Sequence, residues 1–259
     1  MSRAYYCTVE ELNERGRDNI PDQFRSNMHL IYSSPATLAF NSPGAEGFGV
    51  KRAGLAVPDS IMLIVAPGCC GRNTSLISSM REYDNRFFYL MMDETDIVTG
   101  RHLKKIPKAV KEICDCCEKK PSVVMICITC VDALLGTDME RVCRKAEEKV
   151  DIPVRPCYMY ALTREGRKPP MVHVRQSLYS LLEPQKKKGN VVNLLGFFSP
   201  LVDDCELYDL LHQAGVKTIH EISRCKDYEE YRTMSQANFN LVLHPEARFA
   251  AEDFHDRLK

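Results

Sequence analysis

The chain has 259 residues, of which 44% are hydrophobic and 27% are charged. Its 35 lysines and arginines balance 35 aspartates and glutamates, and this neutrality argues against a nucleic acid or an anionic membrane surface as a partner. The longest apolar run is far shorter than a membrane span, and the N-terminal residues become polar and helical at once, unlike a signal peptide. We therefore expect a soluble cytoplasmic protein with no membrane partner.

The twelve cysteines are many for a chain of this length. Disulfide scaffolds are usually shorter and rich in loops, so metal binding, redox chemistry or core packing are the expected uses in a reducing cytosol. Four cysteines stand alone within predicted elements, and we expect them to pack as small buried hydrophobic residues: Cys143, Cys157, Cys205 and Cys225.

Strands and helices are predicted to alternate along most of the chain. A short amphipathic helix is expected at residues 8–18, and residues 33–59 are rich in Ser, Pro, Gly and Ala and are predicted as a long loop. Strands are predicted at residues 60–66, 86–92, 122–127, 154–158, 191–195, 216–219 and 239–243. Helices are predicted at residues 72–82, 103–117, 138–150, 171–182, 202–214, 227–237 and 246–258.

This alternation predicts an α/β fold with Rossmann-like parallel sheets flanked by helices. The polar, lysine-rich stretch after Leu182 suggests a domain boundary. We predict an N-terminal α/β domain at residues 1–184 and a linker at residues 185–190. A second α/β domain follows at residues 191–259, and its three predicted strands are expected to be only part of a complete domain.

Two buried strands deliver cysteines at the same edge of the first predicted sheet. The apolar run at residues 60–66 is followed by Cys69 and Cys70, and the run at residues 122–127 leads into Cys127 and Cys130. Ligands bind at the carboxyl ends of strands in open parallel sheets. These four cysteines are therefore the candidate site residues.

Several chemistries fit such an edge to different degrees. A phosphate loop after the first strand is disfavoured, because Ala66, Arg72 and Asn73 break the required motif. Structural zinc usually takes cysteines from short hairpin loops, and a redox dithiol usually starts a helix directly, whereas Val131 is predicted to begin an apolar turn. An iron–sulfur cluster held by thiolates from several loops remains open as well. Cys114 and Cys117, on the apolar face of one predicted helix, are expected to fill the core.

Four segments, in order, resemble the nitrogenase component 1 family: APGCCG, DETDIVTGRHLKK, CITCVDALLGTDMERV and NVVNLLGFFSPLVDDCELYDLLHQAGV. The resemblance assigns cluster-ligand roles to Cys70 and Cys130, with Cys69 and Cys127 as additional candidates. The family's middle ligand cysteine has no counterpart at residues 71–113. The resemblance therefore implies a [4Fe–4S] cluster, shared with a second copy in a homodimer or with a related second subunit.

The resemblance also implies an activity. An ATP-hydrolysing iron–sulfur reductase is the expected partner, and the chain is expected to pass its electrons through the cluster to an unidentified substrate in an anaerobic setting. Asp93 or Glu94 is a further candidate oxygen ligand, and no catalytic residue is assigned. At the family's cofactor cysteine the chain has His244, so no iron–molybdenum cofactor is expected. The alternatives to this oxidoreductase are a non-catalytic scaffold or carrier for metallocluster assembly and a cluster-free α/β binding module.

Overall fold

The computed structural model describes residues 50–68, 83, 85–158 and 170–258. The helices predicted at residues 8–18 and 72–82 lie outside the described residues. The strands are β1 (Ile61–Ala66), β2 (Phe87–Met91), β3 (Val124–Ile128), β4 (Val154–Tyr158), β5 (Lys188–Leu195), β6 (Thr218–His220) and β7 (Ala237–Val242). The helices are α1 (Glu94–Thr99), α2 (His102–Cys116), α3 (Cys130–Leu135), α4 (Met139–Val150), α5 (Pro170–Tyr179), α6 (Glu206–Gln213), α7 (Tyr228–Thr233) and α8 (Arg248–Arg257).

All strand pairs in the described part of the chain are parallel and form two sheets. The first sheet has the order β2-β1-β3-β4, and the second has the order β6-β5-β7. The predicted α/β fold with parallel sheets flanked by helices is therefore confirmed. Among the described helices, none has both the length and the apolar character that crossing a bilayer requires.

The central strands of the first sheet are buried on both faces. In β3, Val124, Ile126 and Ile128 pack on one side with α2 and α4, while Met125 and Cys127 pack on the other side with residues 50–57 and α5. Successive side chains of a strand point to opposite faces, so alternate residues of this continuous apolar run pack into two separate cores. Each fully buried aliphatic side chain of this kind contributes about 1.5–3 kcal/mol to stability.

One of these cores continues into the second sheet. Tyr179 of α5 is fully buried and its ring lies 5.3 Å from that of Phe254 in α8. Residues that follow β5 also belong to this cluster, including Ile222, Tyr231 and Met234. The proposed boundary at residues 185–190 stays a prediction.

Four local features differ from expectation. Residues 50–54, predicted as loop, are helical. Helix α1 was not predicted, and it begins with a capping box in which Asp93 accepts from the backbone of Asp96. The predicted apolar turn after Cys130 is helix α3. Strand β5 begins three residues earlier than predicted, because Lys188 already pairs with Ala237.

Candidate functional site

Two neighbouring strands of the first sheet, β1 and β3, lead in the sequence to the predicted cysteine ligands. Strands β1 and β3 are adjacent and parallel, so their carboxyl ends meet at one edge. Cys69 and Cys70, which follow β1 in the sequence, lie outside the described residues. Cys130 is the first residue of α3, two residues after β3 ends, and its side chain also lies outside the described part.

Cys127 lies inside β3, not beyond its end. It is completely buried and is the register partner of Cys157 in β4, which is also completely buried. A hydrogen bond with Cys127 and burial raise the pKa of the Cys157 thiol well above its usual range. The Cys157 thiol also donates to the carbonyl of Val50 at 3.6 Å. Both thiols lie in an apolar core, and this location favours a packing role for Cys127.

A buried polar pair lies next to the carboxyl end of β3. His102 begins α2, and its Nε2 atom lies 2.9 Å from Oδ1 of Asp132 in the first turns of α3. The two side chains are 1% and 0% exposed. Asp132 Oδ1 also accepts from the hydroxyl of Thr137 at 3.0 Å. The second carboxylate oxygen of Asp132 is buried and has no hydrogen-bond partner, so this carboxylate is incompletely satisfied.

The other nitrogen of His102 connects this pair to α1. Nδ1 lies 3.1 Å from the carbonyl oxygen of Asp96, whose carboxylate is itself buried. Lys105 donates to that carboxylate at 2.6 Å and Arg101 donates at 3.3 Å. The hydrogen bond from Lys105 is the main reason why the pKa of Asp96 lies below its usual value. A continuous polar network therefore joins the segments that follow β2 and β3.

A second candidate region is a cleft of about 1140 Å³, lined by residues 52–59, Arg86, the start of α5, residues 197–202 and His244. His244 follows β7 and is 36% exposed. Its Nδ1 atom accepts from the backbone N–H of Glu246 at 3.3 Å and lies 3.6 Å from the Glu246 carboxylate. Among the described residues, no hydrogen-bond partner contacts its Nε2 atom.

The buried side of this cleft is organised by Arg175. Its side chain is 4% exposed, pairs with Glu246 at 2.8 Å and donates through Nε to the carbonyl of Gly196 at 3.0 Å. The guanidinium also lies 4.6 Å from the centre of the Phe198 ring. Burial lowers the pKa of Arg175, and the Glu246 carboxylate opposes that shift and keeps the group charged. An arginine thus fixes the carboxylate that faces His244.

The described residues alone do not supply a complete metal site. Among them, no three His, Cys, Asp or Glu side chains converge in a way that fits a metal ion. Cys114 and Cys117 are half-buried on α2 and at its end, and burial raises the pKa of Cys114 to about 11. Asp93 is the N-cap of α1 and Glu94 is its first residue. A cluster at the sheet edge therefore needs thiolates from beyond these residues.

Sequence reasoning did not identify His102, Asp132 or Arg175. Each acts through a contact to a residue far away in the chain, such as the separation of 71 positions between Arg175 and Glu246. The signals present in the sequence were a histidine and an aspartate within the segments that carry the family resemblance. Those segments show which residues come near the site but not which of them touch.

Comparison with known proteins identifies the family. The sequence model described as "Nitrogenase component 1 type Oxidoreductase" matches residues 46–259. A "Nitrogenase iron-molybdenum cofactor biosynthesis protein NifE" from Nostoc sp. is 25% identical over 90% of this chain and 50% of its own length. The protein of the same name from Rhizobium meliloti is 29% identical over 82% of this chain and 45% of its own length.

Solved structures show the same fold. The structure titled "Nitrogenase Cp1 at pH 6.5" superposes with a TM-score of 0.58 at 21% identity, over 79% of this chain and 43% of that chain. The chain thus spans about half the length, or less, of the proteins that it matches. Since the family match covers most of the sequence, the chain belongs to the nitrogenase component 1 type oxidoreductase family.

Proposed function

We propose that this chain is a scaffold or carrier that holds a metallocluster during the assembly of a metal cofactor. The observation that carries the proposal is the identity of its relatives. The curated relatives from Nostoc sp. and Rhizobium meliloti are both named as biosynthesis proteins of the iron–molybdenum cofactor. This supports the scaffold over the electron-accepting reductase, which was the first expectation from the sequence.

Cys70 and Cys130 are the proposed ligands of an iron–sulfur cluster at the edge of the first sheet. Cys130 lies directly after β3, the position at which parallel sheets bind ligands. Cys69 remains a proposed additional ligand. Cys127 is the least favoured of the four candidate ligands, because its side chain is buried in the core. When bound, a [4Fe–4S] cluster would provide storage of single electrons. Because few thiolates come from one chain, a second copy or a related subunit is the proposed source of the others.

His244 is the proposed attachment point for a second metal-containing group in the cleft. Binding through Nε2 would move the ring proton to Nδ1, so the present contact from the Glu246 N–H would have to give way to a hydrogen bond from Nδ1 to the Glu246 carboxylate, now 3.6 Å away. Arg175 holds that carboxylate in place. A neutral imidazole is a weaker ligand for iron than a thiolate and is lost on protonation. Such an attachment suits a protein that releases its cargo.

The test begins with iron and sulfide analysis of protein purified without oxygen. Cys70→Ala and Cys130→Ala are each expected to lose most of the iron, while Cys143→Ala, which changes a buried core cysteine in α4, keeps it. Equal iron content in all three variants would refute the ligand assignment. The iron-loaded form is expected to be at least dimeric in solution, and a monomer with a complete cluster contradicts the shared site.

A second measurement separates the scaffold from the reductase. An ATP-hydrolysing iron–sulfur reductase is added with ATP, and iron content and substrate reduction are followed together. The scaffold passes iron to an apo acceptor protein and yields no reduced product, whereas sustained ATP-dependent turnover would favour the reductase. His244→Ala is expected to lower the iron bound beyond that of the cysteine cluster, and His212→Ala, on exposed α6, leaves it unchanged.

A further inference from the structure

The contact between His102 and Asp132 bridges the segments that follow the two strands flanking β1. In the sheet order β2-β1-β3-β4, β1 lies between β2 and β3. His102 follows β2 and α1 in the chain, and Asp132 follows β3. The contact therefore joins the segments on either side of β1. Cys69 and Cys70 follow β1 in the sequence.

The proton arrangement makes this contact strong. Nδ1 of His102 must carry a proton, because the Asp96 carbonyl oxygen 3.1 Å away can only accept. A second proton then lies between Nε2 and the Asp132 carboxylate, whichever of the two atoms holds it. The pair is neutral as a unit in either arrangement, which makes its complete burial tolerable. With the proton on Nε2 the hydrogen bond is charge-assisted, and such bonds are shorter and stronger than neutral ones.

The bridge also fixes a helix that is too short to be stable alone. Helix α3 has six residues, and isolated helices of that length do not persist in water. Asp132 anchors it from both sides, since its side chain contacts His102 and accepts from the Thr137 hydroxyl, while its carbonyl accepts from the Thr137 backbone at 3.1 Å. In the described part of the chain nothing contacts the second carboxylate oxygen of Asp132, so His102 and Thr137 together hold its side chain in place.

We infer that His102 is a positioning residue for Cys130. Cys130 begins the same helical turn that Asp132 anchors, so the placement of its backbone depends on the orientation of α3. Hydrogen bonds in the shell around metal ligands fix the ligands and commonly change metal affinity 10–100-fold when removed. The inference rests on the proposed function, because it requires Cys130 to bind the cluster.

The experiment compares three variants in the full chain, purified without oxygen. His102→Leu removes both hydrogen bonds, His102→Gln keeps an amide donor for Asp132, and Asp132→Asn keeps the shape of the side chain if the leucine variant folds poorly. The readouts are the rate of iron loss to a chelator, measured well below the melting temperature, and the electron paramagnetic resonance spectrum of the reduced cluster. We expect His102→Leu and Asp132→Asn to lose iron about tenfold faster or more, with an altered spectrum, and His102→Gln to recover part of the parent behaviour.

Asn193→Leu serves as the matched control. Asn193 is another fully buried polar residue, which donates to the Met234 carbonyl at 2.9 Å in the second sheet, away from Cys130. This variant should lose stability but keep the parent spectrum and rate of iron loss. If His102→Leu behaves in the same way, the inference is overturned while the proposed function stands. If Cys130→Ala keeps its iron, both are overturned.

Discussion

Substitution of Gly196 tests how closely the second sheet approaches His244. Gly196 follows β5 and has φ of +142°, a backbone conformation that residues with a side chain rarely adopt. A Cβ atom added there would lie 2.8 Å from both the backbone nitrogen and the Cβ of His244. Because one obstacle is backbone, no side-chain rotation can remove it.

Two costs add up in Gly196→Ala. The unfavourable backbone conformation costs about 1–3 kcal/mol. Overpacking against a neighbour that must shift costs about 1–3 kcal/mol more. We therefore expect the free energy of unfolding to fall by about 2–6 kcal/mol in total, and the ring of His244 to move away from its present position against Phe197, 5.8 Å between centroids.

Gly215→Ala isolates the first cost. Gly215 also has a positive φ, +89°, but a Cβ there meets nothing within 4 Å. It should therefore destabilise by only the backbone cost of about 1–3 kcal/mol. Both variants are compared by thermal or denaturant unfolding, where each 1 kcal/mol corresponds to about 2–4 °C in a chain of this size. A Gly196→Ala variant as stable as Gly215→Ala would show that the contact with His244 is wrong.

Two further predictions concern a buried charge and a partly buried thiol. Arg175→Met should lower the free energy of unfolding by about 3–5 kcal/mol, because it leaves the Glu246 carboxylate and the Gly196 carbonyl without their donor. Adding Glu246→Gln to this variant should restore part of the lost stability. A double variant no more stable than Arg175→Met would contradict the ion pair. Burial raises the pKa of Cys225 from about 9 to about 12. Below pH 9 the thiol is protonated in both states, whereas above pH 9 only the unfolded state releases the proton, so stability falls as pH rises towards 12. Melting temperatures measured across this range should fall less steeply in Cys225→Ala, and identical slopes would argue against a buried thiol.

The strands of the first sheet could be predicted from the sequence because their apolar runs are continuous and bounded by turn residues. For the candidate site, where each strand ends mattered more than whether the strand was predicted. Strand β3 extends to Ile128, one residue beyond the prediction, and this places Cys127 within the strand body. Successive residues of a strand face opposite sides, so the end of a strand decides which side chains reach the edge.

The short helices and the buried polar contacts could not be predicted in the same way. Helix α1 is only six residues long and largely polar, so the apolar periodicity that identifies longer helices was absent. Its local signals were the capping box, Asp93 with Asp96, and the glycine that ends it, Gly100. The contact between His102 and Asp132 spans 30 positions and depends on how two helices leave the sheet. Such contacts are set by tertiary packing, which a single sequence does not reveal.

The apolar cluster shared by both sheets has a consequence for how the protein unfolds. Because Tyr179 and Phe254 pack together within it, neither half can open without exposing aromatic surface of the other. The described regions should therefore melt in one cooperative transition, and a cut within residues 185–190 would expose an apolar, aggregation-prone surface on each half.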